Sequence, residues 1–279
     1  MNAKCLATSV ALVLLAASAA YALVVAPPPS PARIARADTV VLGRIVAHED
    51  KDIEVAIPGS PQKIKYRIAL LKVNESIRGA KDAKLLRIAF YPPPVVQPGQ
   101  PVIRTGGGGR INLDVGQDGL FMLTKHADGF YQPPMYFNIV ASNQPNFEKE
   151  VSEAKKLCKL MENPQAGLKS EKAEDRFLTA ALLIANYRTP PQGQTKQEPI
   201  DADESKLILK ALTEADWSAP RKFGTLHPQE LFFELRLTKE DGFEMPRTAT
   251  QQQLAQVSQA WLREHGATYR IKRFVAAEK

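Results

Sequence analysis

The stretch Lys63-Ile64-Lys65-Tyr66-Arg67-Ile68-Ala69-Leu70-Leu71-Lys72-Val73-Asn74 decides the fold. Ile64, Tyr66, Ile68 and Leu70 alternate with Lys63, Lys65 and Arg67, the period of a strand with one apolar face. The phase slips at Leu71 and Val73, and such a slip requires a bulge or a sharp bend. A long strand that bends part-way along serves two sides of a small closed sheet, so the stretch predicts an antiparallel β-barrel.

Working outward, Thr39 to Val46 is a β-branched run ended by the polar turn His48-Glu49-Asp50-Lys51. Asp52 to Ile57 is a shorter strand closed by Pro58-Gly59-Ser60-Pro61, and Leu85 to Phe90, Leu120 to Lys125 and Phe130 to Ala141 supply the others. The long connection from Tyr91 to Gln117 holds a proline-rich part, Tyr91 to Pro101, and the glycine run Gly106 to Gly109; both read as loops.

After Pro145 the apolar period changes to that of a helix. Helices are predicted over Phe147 to Met161, Ser170 to Tyr187 with Pro190-Pro191 as its stop, a segment from Asp201 to Trp217, Gln229 to Leu237, and a last one capped by Thr250. Asp201 with Glu204 and Thr250 with Gln253 have the spacing of capping boxes. Gln192 to Glu198 reads as a polar insert, and Tyr269 to Val275 as a short strand or an ordered arm. The fold class is therefore α+β: a small OB-like antiparallel β-barrel over residues 37–145, followed by an α-helical domain over 146–279.

The first residues are an address rather than a core. Lys4, an apolar run from Leu6 and the small-residue site Ala20-Tyr21-Ala22 make residues 1–22 a signal peptide, with cleavage expected after Ala22. The apolar run extends through Leu23, Val24 and Val25, and at roughly 20 residues an uncleaved membrane anchor is the alternative. Residues 23–36, with Pro27, Pro28, Pro29 and Pro31, read as a stiff extended tether. The chain is expected to be exported, periplasmic or extracellular, and to contact a membrane only through an uncleaved anchor.

The formal net charge is +7, and loss of Lys4 with the signal leaves +6. Residues 23–145 hold 15 Lys and Arg against 10 Asp and Glu, so the excess lies in the first domain. It suits acidic partners or serves solubility. Removal of the signal also removes Cys5, leaving Cys158 without an internal disulfide partner. Cys158 follows Phe147, Val151 and Ala154 on one helical stripe, which makes it a small buried hydrophobe.

Catalytic signatures are missing. No Gly-x-Ser-x-Gly elbow, Cys-x-x-Cys or His-Glu-x-x-His occurs, and His48, His126, His227 and His265 lack the spacing of a metal site on one helix. The glycine run is followed by strand-like Ile111 to Val115 instead of a helix, unlike a phosphate-binding loop. No metal or cofactor is expected. Lys63, Lys65 and Arg67 form one basic strand face, the candidate contact for a polyanion or partner. Tyr66 lies on the other face, so the aromatic interleaving that single-stranded nucleic acid requires is lacking, and no nucleic-acid partner is expected. Trp217 and Trp261 read as core anchors.

The run Ala37-Asp38-Thr39-Val40-Val41-Leu42-Gly43-Arg44-Ile45, with Tyr66-Arg67-Ile68 and Val73-Asn74-Glu75-Ser76-Ile77-Arg78-Gly79, resembles the start of netrin and metalloproteinase-inhibitor-like OB-fold domains of exported proteins. The resemblance covers residues 37–125 and implies a five-stranded barrel used for protein contacts. Inhibitory members chelate a protease's zinc through an N-terminal cysteine and hold the barrel with disulfides. Here Leu23 would be the new N-terminus and Cys158 has no partner, so that mechanism does not carry over. The expectation is a non-enzymatic binding or scaffold protein of the cell envelope, its partner an envelope protein or acidic polymer. The alternatives are a peptidase-regulating module and an envelope enzyme whose active site is assembled from distant loops.

Overall fold

Thr39, Val40 and Val41 are all buried, because the start of this strand is covered on both sides. In the computed structural model, which describes residues 28, 30–56, 61–91, 111–191, 193–222, 224–246 and 248–277, strand β1 (Thr39–His48) is the centre of the sheet. Val41 and Ile45 point into one cluster with Ala69, Leu71, Ile88, Phe121 and Leu123. Val40 points the opposite way, into a second cluster with Leu120, Met122 and helical residues beyond Pro145.

The fold is α+β. Strand β2 (Ile53–Ala56) pairs with the first part of β3 (Lys63–Arg78). The middle and end of β3 pair with β4 (Leu85–Phe90) and β1, all antiparallel. On its other edge β1 pairs antiparallel with β5 (Asp118–Lys125). The short β6 (Tyr131–Gln132) lies antiparallel to β5 and parallel to β4, and β7 (Ile139–Ala141) extends the sheet beside β5. The order β1-β3-β4-β6-β5 thus returns to β1, a closed ring of five strands.

The bend anticipated in β3 is produced by several irregularities spread over two strands. Ile45 faces Leu71 whereas Ala47 faces Leu70, so the extra residue opposite the Leu70-Leu71 step is Val46, on β1. Further register shifts lie between Val40 and Val41 and between Leu42 and Gly43. A Cβ at Gly43 would lie 2.5 Å from the Lys72 carbonyl oxygen, so only glycine allows the two backbones to approach there. Gly79, just past β3, has φ +79, and a Cβ there would stand 2.1 Å from the Asp38 carbonyl oxygen. The predicted single strand from Phe130 to Ala141 is two short strands separated by a 3₁₀ turn at Tyr136–Asn138.

The chain entering β1 departs from the extended tether expected over residues 23–36. Ser30–Ala35 forms helix α1, in which Arg33, Ile34 and Ala35 are buried. Arg33 donates to the Phe137 carbonyl at 3.2 Å, to Ser30 Oγ at 3.0 Å and to Glu150 Oε2 at 2.6 Å. Composition favoured an extended spacer; these tertiary bonds, with Ile34 in the second cluster, hold a short helix instead. The signal segment, the other residues up to Pro27, the turn at 57–60 and the loop at 92–110 lie outside the described residues. Every described residue belongs to one compact unit, Pro28–Val95 with Gly109–Lys279.

Helix α2 (Phe147–Glu162) lays Val151, Ala154, Leu157 and Cys158 against β1 and β5. Next come α3 (Pro164–Leu168), capped by Asn163, and α4 (Ala173–Tyr187), the central helix of this half. Leu182 faces the sheet-side cluster, whereas Ala180, Ala181, Leu183 and Ile184 face a third cluster. That cluster is completed by α5 (Ala202–Thr213), α6 (Pro228–Glu234) and α7 (Gln251–His265).

At α5 only half of the capping box forms: Asp201 accepts from the Glu204 amide, while the Glu204 carboxylate accepts from the Tyr187 hydroxyl at 2.8 Å. The Thr250–Gln253 box at α7 is complete. Trp261 is buried and donates to the Asp241 carbonyl, and half-buried Trp217 packs edge-on to Phe232, as core anchors do. The expected polar insert contains strand β8 (Thr195–Pro199), paired with β9 (Lys272–Ala276) in the tail. No helix among the described residues is long and apolar enough to cross a membrane.

Arg33→Ala removes the cationic partner of the Glu150 carboxylate and the bond to the Phe137 carbonyl. The substitution is expected to lower unfolding stability by about 3 kcal/mol, measured by urea denaturation, whereas Lys63→Ala on the exposed sheet face should change it by less than about 0.5 kcal/mol.

Candidate functional site

Helix α1 ends where the Ala37 amide donates to the Ile34 carbonyl, which also accepts from Arg78. The chain then turns into β1 through Arg36 and Asp38, both exposed. Asp38 Oδ2 accepts the backbone amide of Lys125 at 2.8 Å and so fixes the end of β5 to the start of β1. The β5–β6 turn is tight: Gly129, with φ +83, donates to the His126 carbonyl, and the His126 amide donates to the Phe130 carbonyl. The His126 ring stacks on Phe130, centroids 4.3 Å apart and 8° from parallel. His126 Nδ1 faces the Asp128 amide at 3.2 Å and the Asp128 carboxylate at 3.5 Å.

On the far side, α4 stops at Pro190-Pro191. Its last turn is internally satisfied, with Thr189 Oγ1 donating to the Ala185 carbonyl and the Arg188 amide to that of Ile184. These three pieces enclose a hollow of about 440 Å³ whose wall includes Arg36, Asp38, Lys125, His126, Gln132 and Thr189. The size falls in the range of small-molecule sites. Among the described residues neither Arg36 nor Lys125 makes an ion pair. A second, more apolar hollow of about 280 Å³ lies on the other side of Arg36, against Pro31, Ala181, Leu231 and Glu234.

A third hollow, of about 490 Å³, is lined by Asn112, Asp114, Gln117 and Asp118. Its polar groups are engaged with one another or with neighbours. Asn112 donates to Asp114 Oδ1, Gln117 Oε1 accepts the Asp114 amide, and Asp118 is held by the Arg44 guanidinium. That guanidinium also holds the Asp118 carboxyl below its ordinary range.

The basic face singled out in the sequence lies elsewhere. Lys63, Lys65 and Arg67 are exposed on β3, and each stands near a carboxylate of the β2 segment: Lys63–Glu54 at 3.6 Å, Lys65–Asp52 at 3.5 Å and Arg67–Asp52 at 3.8 Å. Two carboxylates, Glu54 and Asp52, thus answer the three cations, and none of the three lines the three hollows. Tyr66 packs into a small cluster with Ile68, Ala89 and Phe130.

The histidines are dispersed. His48 Nε2 contacts the Leu113 carbonyl at 2.6 Å, His227 caps α6 in a buried position, His265 lies against Trp261, and of the four His126 alone lines one of these three hollows. No group of three or more His, Cys, Asp or Glu among the described residues could hold a metal. The residues missed by sequence reasoning are Arg36, hidden in the supposed tether, and Asp38, Lys125 and Gln132. The one local signal was the Arg33-x-x-Arg36 spacing, one helical turn apart, of which the first member turned out to be structural.

No protein-family model matches the chain, and no curated protein matches it.

Cys158 is buried in the sheet-side cluster, and that burial pushes its thiol up to about 11, with Arg78 pulling slightly the other way. Only the thiolate is reactive. Iodoacetamide at pH 8 is therefore expected to leave Cys158 unmodified in the folded chain and to alkylate it in denaturant, as read by mass spectrometry of the intact protein.

Proposed function

We propose that the chain is an exported binding protein, an OB-like β-barrel followed by a helical half, whose ligand occupies the hollow bordered by Arg36, Lys125 and His126. Its role is binding and not catalysis, and its partner is an envelope protein or an acidic polymer. The observation that carries this reading is that Arg36 and Lys125 line one hollow and neither makes an ion pair with a described carboxylate. A binding site needs donors whose positions are set before the ligand arrives. Here the Asp38 bond fixes the Lys125 backbone and the stack on Phe130 orients the His126 ring, while the Lys125 ammonium stays free to turn.

The strand order supports the barrel reading. Every contact round the ring is antiparallel except that between β4 and β6, the connectivity of a five-stranded Greek-key barrel. Such barrels take ligands at loops and strand ends, and the β5–β6 turn with His126 is one of those loops. The apolar segment ending in Ala20-Tyr21-Ala22 supports export.

The test has two readouts on the full chain produced in cells. N-terminal sequencing of protein recovered outside the cytoplasm should begin at Leu23, and hydrogen exchange of residues 124–132 should slow when that protein meets the material of its own compartment. Recovery of the chain from the cytosol with Met1 retained would overturn the export reading. Unchanged exchange at 124–132 would overturn the assignment of the hollow as the binding site.

A further inference from the structure

We infer that the hollow beside Arg36 selects an oxyanion group, a carboxylate or a phosphate, carried on a larger ligand. This rests on the reading of that hollow as the binding site and adds the chemistry of what enters it. The wall carries two cations, Arg36 and Lys125, against one carboxylate, Asp38, and the Asp128 carboxylate stands 3.5 Å from His126 Nδ1. Asp38 has one oxygen committed to the Lys125 amide at 2.8 Å, which reduces its capacity to answer the two cations.

The donor set matches an oxyanion in kind. A guanidinium offers a planar fork to two oxygens, and an ammonium adds a point charge free to turn toward a third. The His126 ring stands on the same wall and adds an N–H donor through whichever nitrogen carries the proton.

The C-terminal end of α4, which would repel an anion, is muted. The Ala185, Ile184 and Asn186 carbonyls already accept from Thr189 and Arg188. A volume of about 440 Å³ is far more than a lone phosphate or carboxylate fills, and Pro190 and Pro191 give the hollow an apolar flank for the body that bears the group.

The experiment is an NMR titration of the isotopically labelled chain at 150 mM NaCl, with inorganic phosphate, succinate and uncharged succinamide as probes, following the amides of residues 125–132. Saturable shifts with phosphate, with succinate or with both are expected. Phosphate alone would assign a phosphate ester, succinate alone a carboxylate. Arg36→Gln and Lys125→Gln should each weaken the binding about tenfold or more, with circular dichroism unchanged, while Lys63→Gln leaves it as it was. Succinamide binding as well as succinate, or equal effects of Lys63→Gln and Arg36→Gln, would overturn the anion inference. If neither oxyanion shifts these amides while compartment material still slows exchange at 124–132, the anion inference fails and the binding site stands; if both measurements are negative, the two fail together.

Discussion

The three bonds of Arg33 hold the molecule's two kinds of structure together. One guanidinium, 5% exposed, joins α1 to the loop before β7 through the Phe137 carbonyl and to α2 through Glu150. A buried charge is tolerated only when paired and hydrogen-bonded, and here the pairing dictates where three elements meet. The match is incomplete, since Arg33 Nε is buried without a partner. The arrangement therefore stands on geometry more than on surplus energy: moving any of the three elements strands the guanidinium in an apolar setting beside Ile34 and Val151. Once α1 is fixed, so are the start of β1 at Thr39 and the place of Arg36 two residues earlier than Asp38.

β1 depends on the same docking. The first half of β1, flanked by β3 and β5 and covered on both faces, is buried from Thr39 to Val41, whereas beyond Gly43 the strand has a wet side at Arg44 and Val46. Each of the five ring strands has a neighbour on either side, although β4 and β6 meet only at Ile88 and Tyr131. The sheet-side cluster takes Val40, Leu120 and Met122 from before Pro145 and Val151, Ala154, Leu157 and Leu182 from after it. Strands and helices therefore share a core, and loosening α2 would expose one face of β1.

How much of this could be read from the chain depends on whether a signal is local. The alternation from Lys63 to Leu70 and the caps at Asp201 and Thr250 are local, and the strands and helices they mark are found. The tail strand β9 and its partner β8 are a poorer case: Thr195-Lys196-Gln197-Glu198-Pro199 has no apolar period, and only its ladder with residues 272–276 makes it a strand. Helix α1 was illegible because its prolines argue for an extended chain, while its partners stand 104 and 117 residues away from Arg33. The candidate site is illegible for the same reason. Its wall is drawn from 36–38, 124–132 and 189–191, three segments joined by no spacing rule, while the conspicuous basic alternation at 63–67 is answered by acids of the neighbouring strand.

Where each arginine spends its donors separates structure from site. Arg33 has Glu150 and a carbonyl; Arg78 donates to the last carbonyl region of α1; Arg188, buried, donates to the carbonyls of Glu234, Leu235 and Lys272 and so closes α6 against β9. Each sits where a helix end leaves carbonyl groups without intrahelical partners, a need set by the fold itself. Arg36 lies one turn beyond Arg33 and meets no such need: the carbonyl at its helix end is already taken by Arg78 and the Ala37 amide. An exposed guanidinium costs the fold nothing when left to water, so stability gives no reason for it to stand between two hollows. It lines both hollows and makes no ion pair with a described carboxylate, while the Lys125 backbone beside it is tied to Asp38.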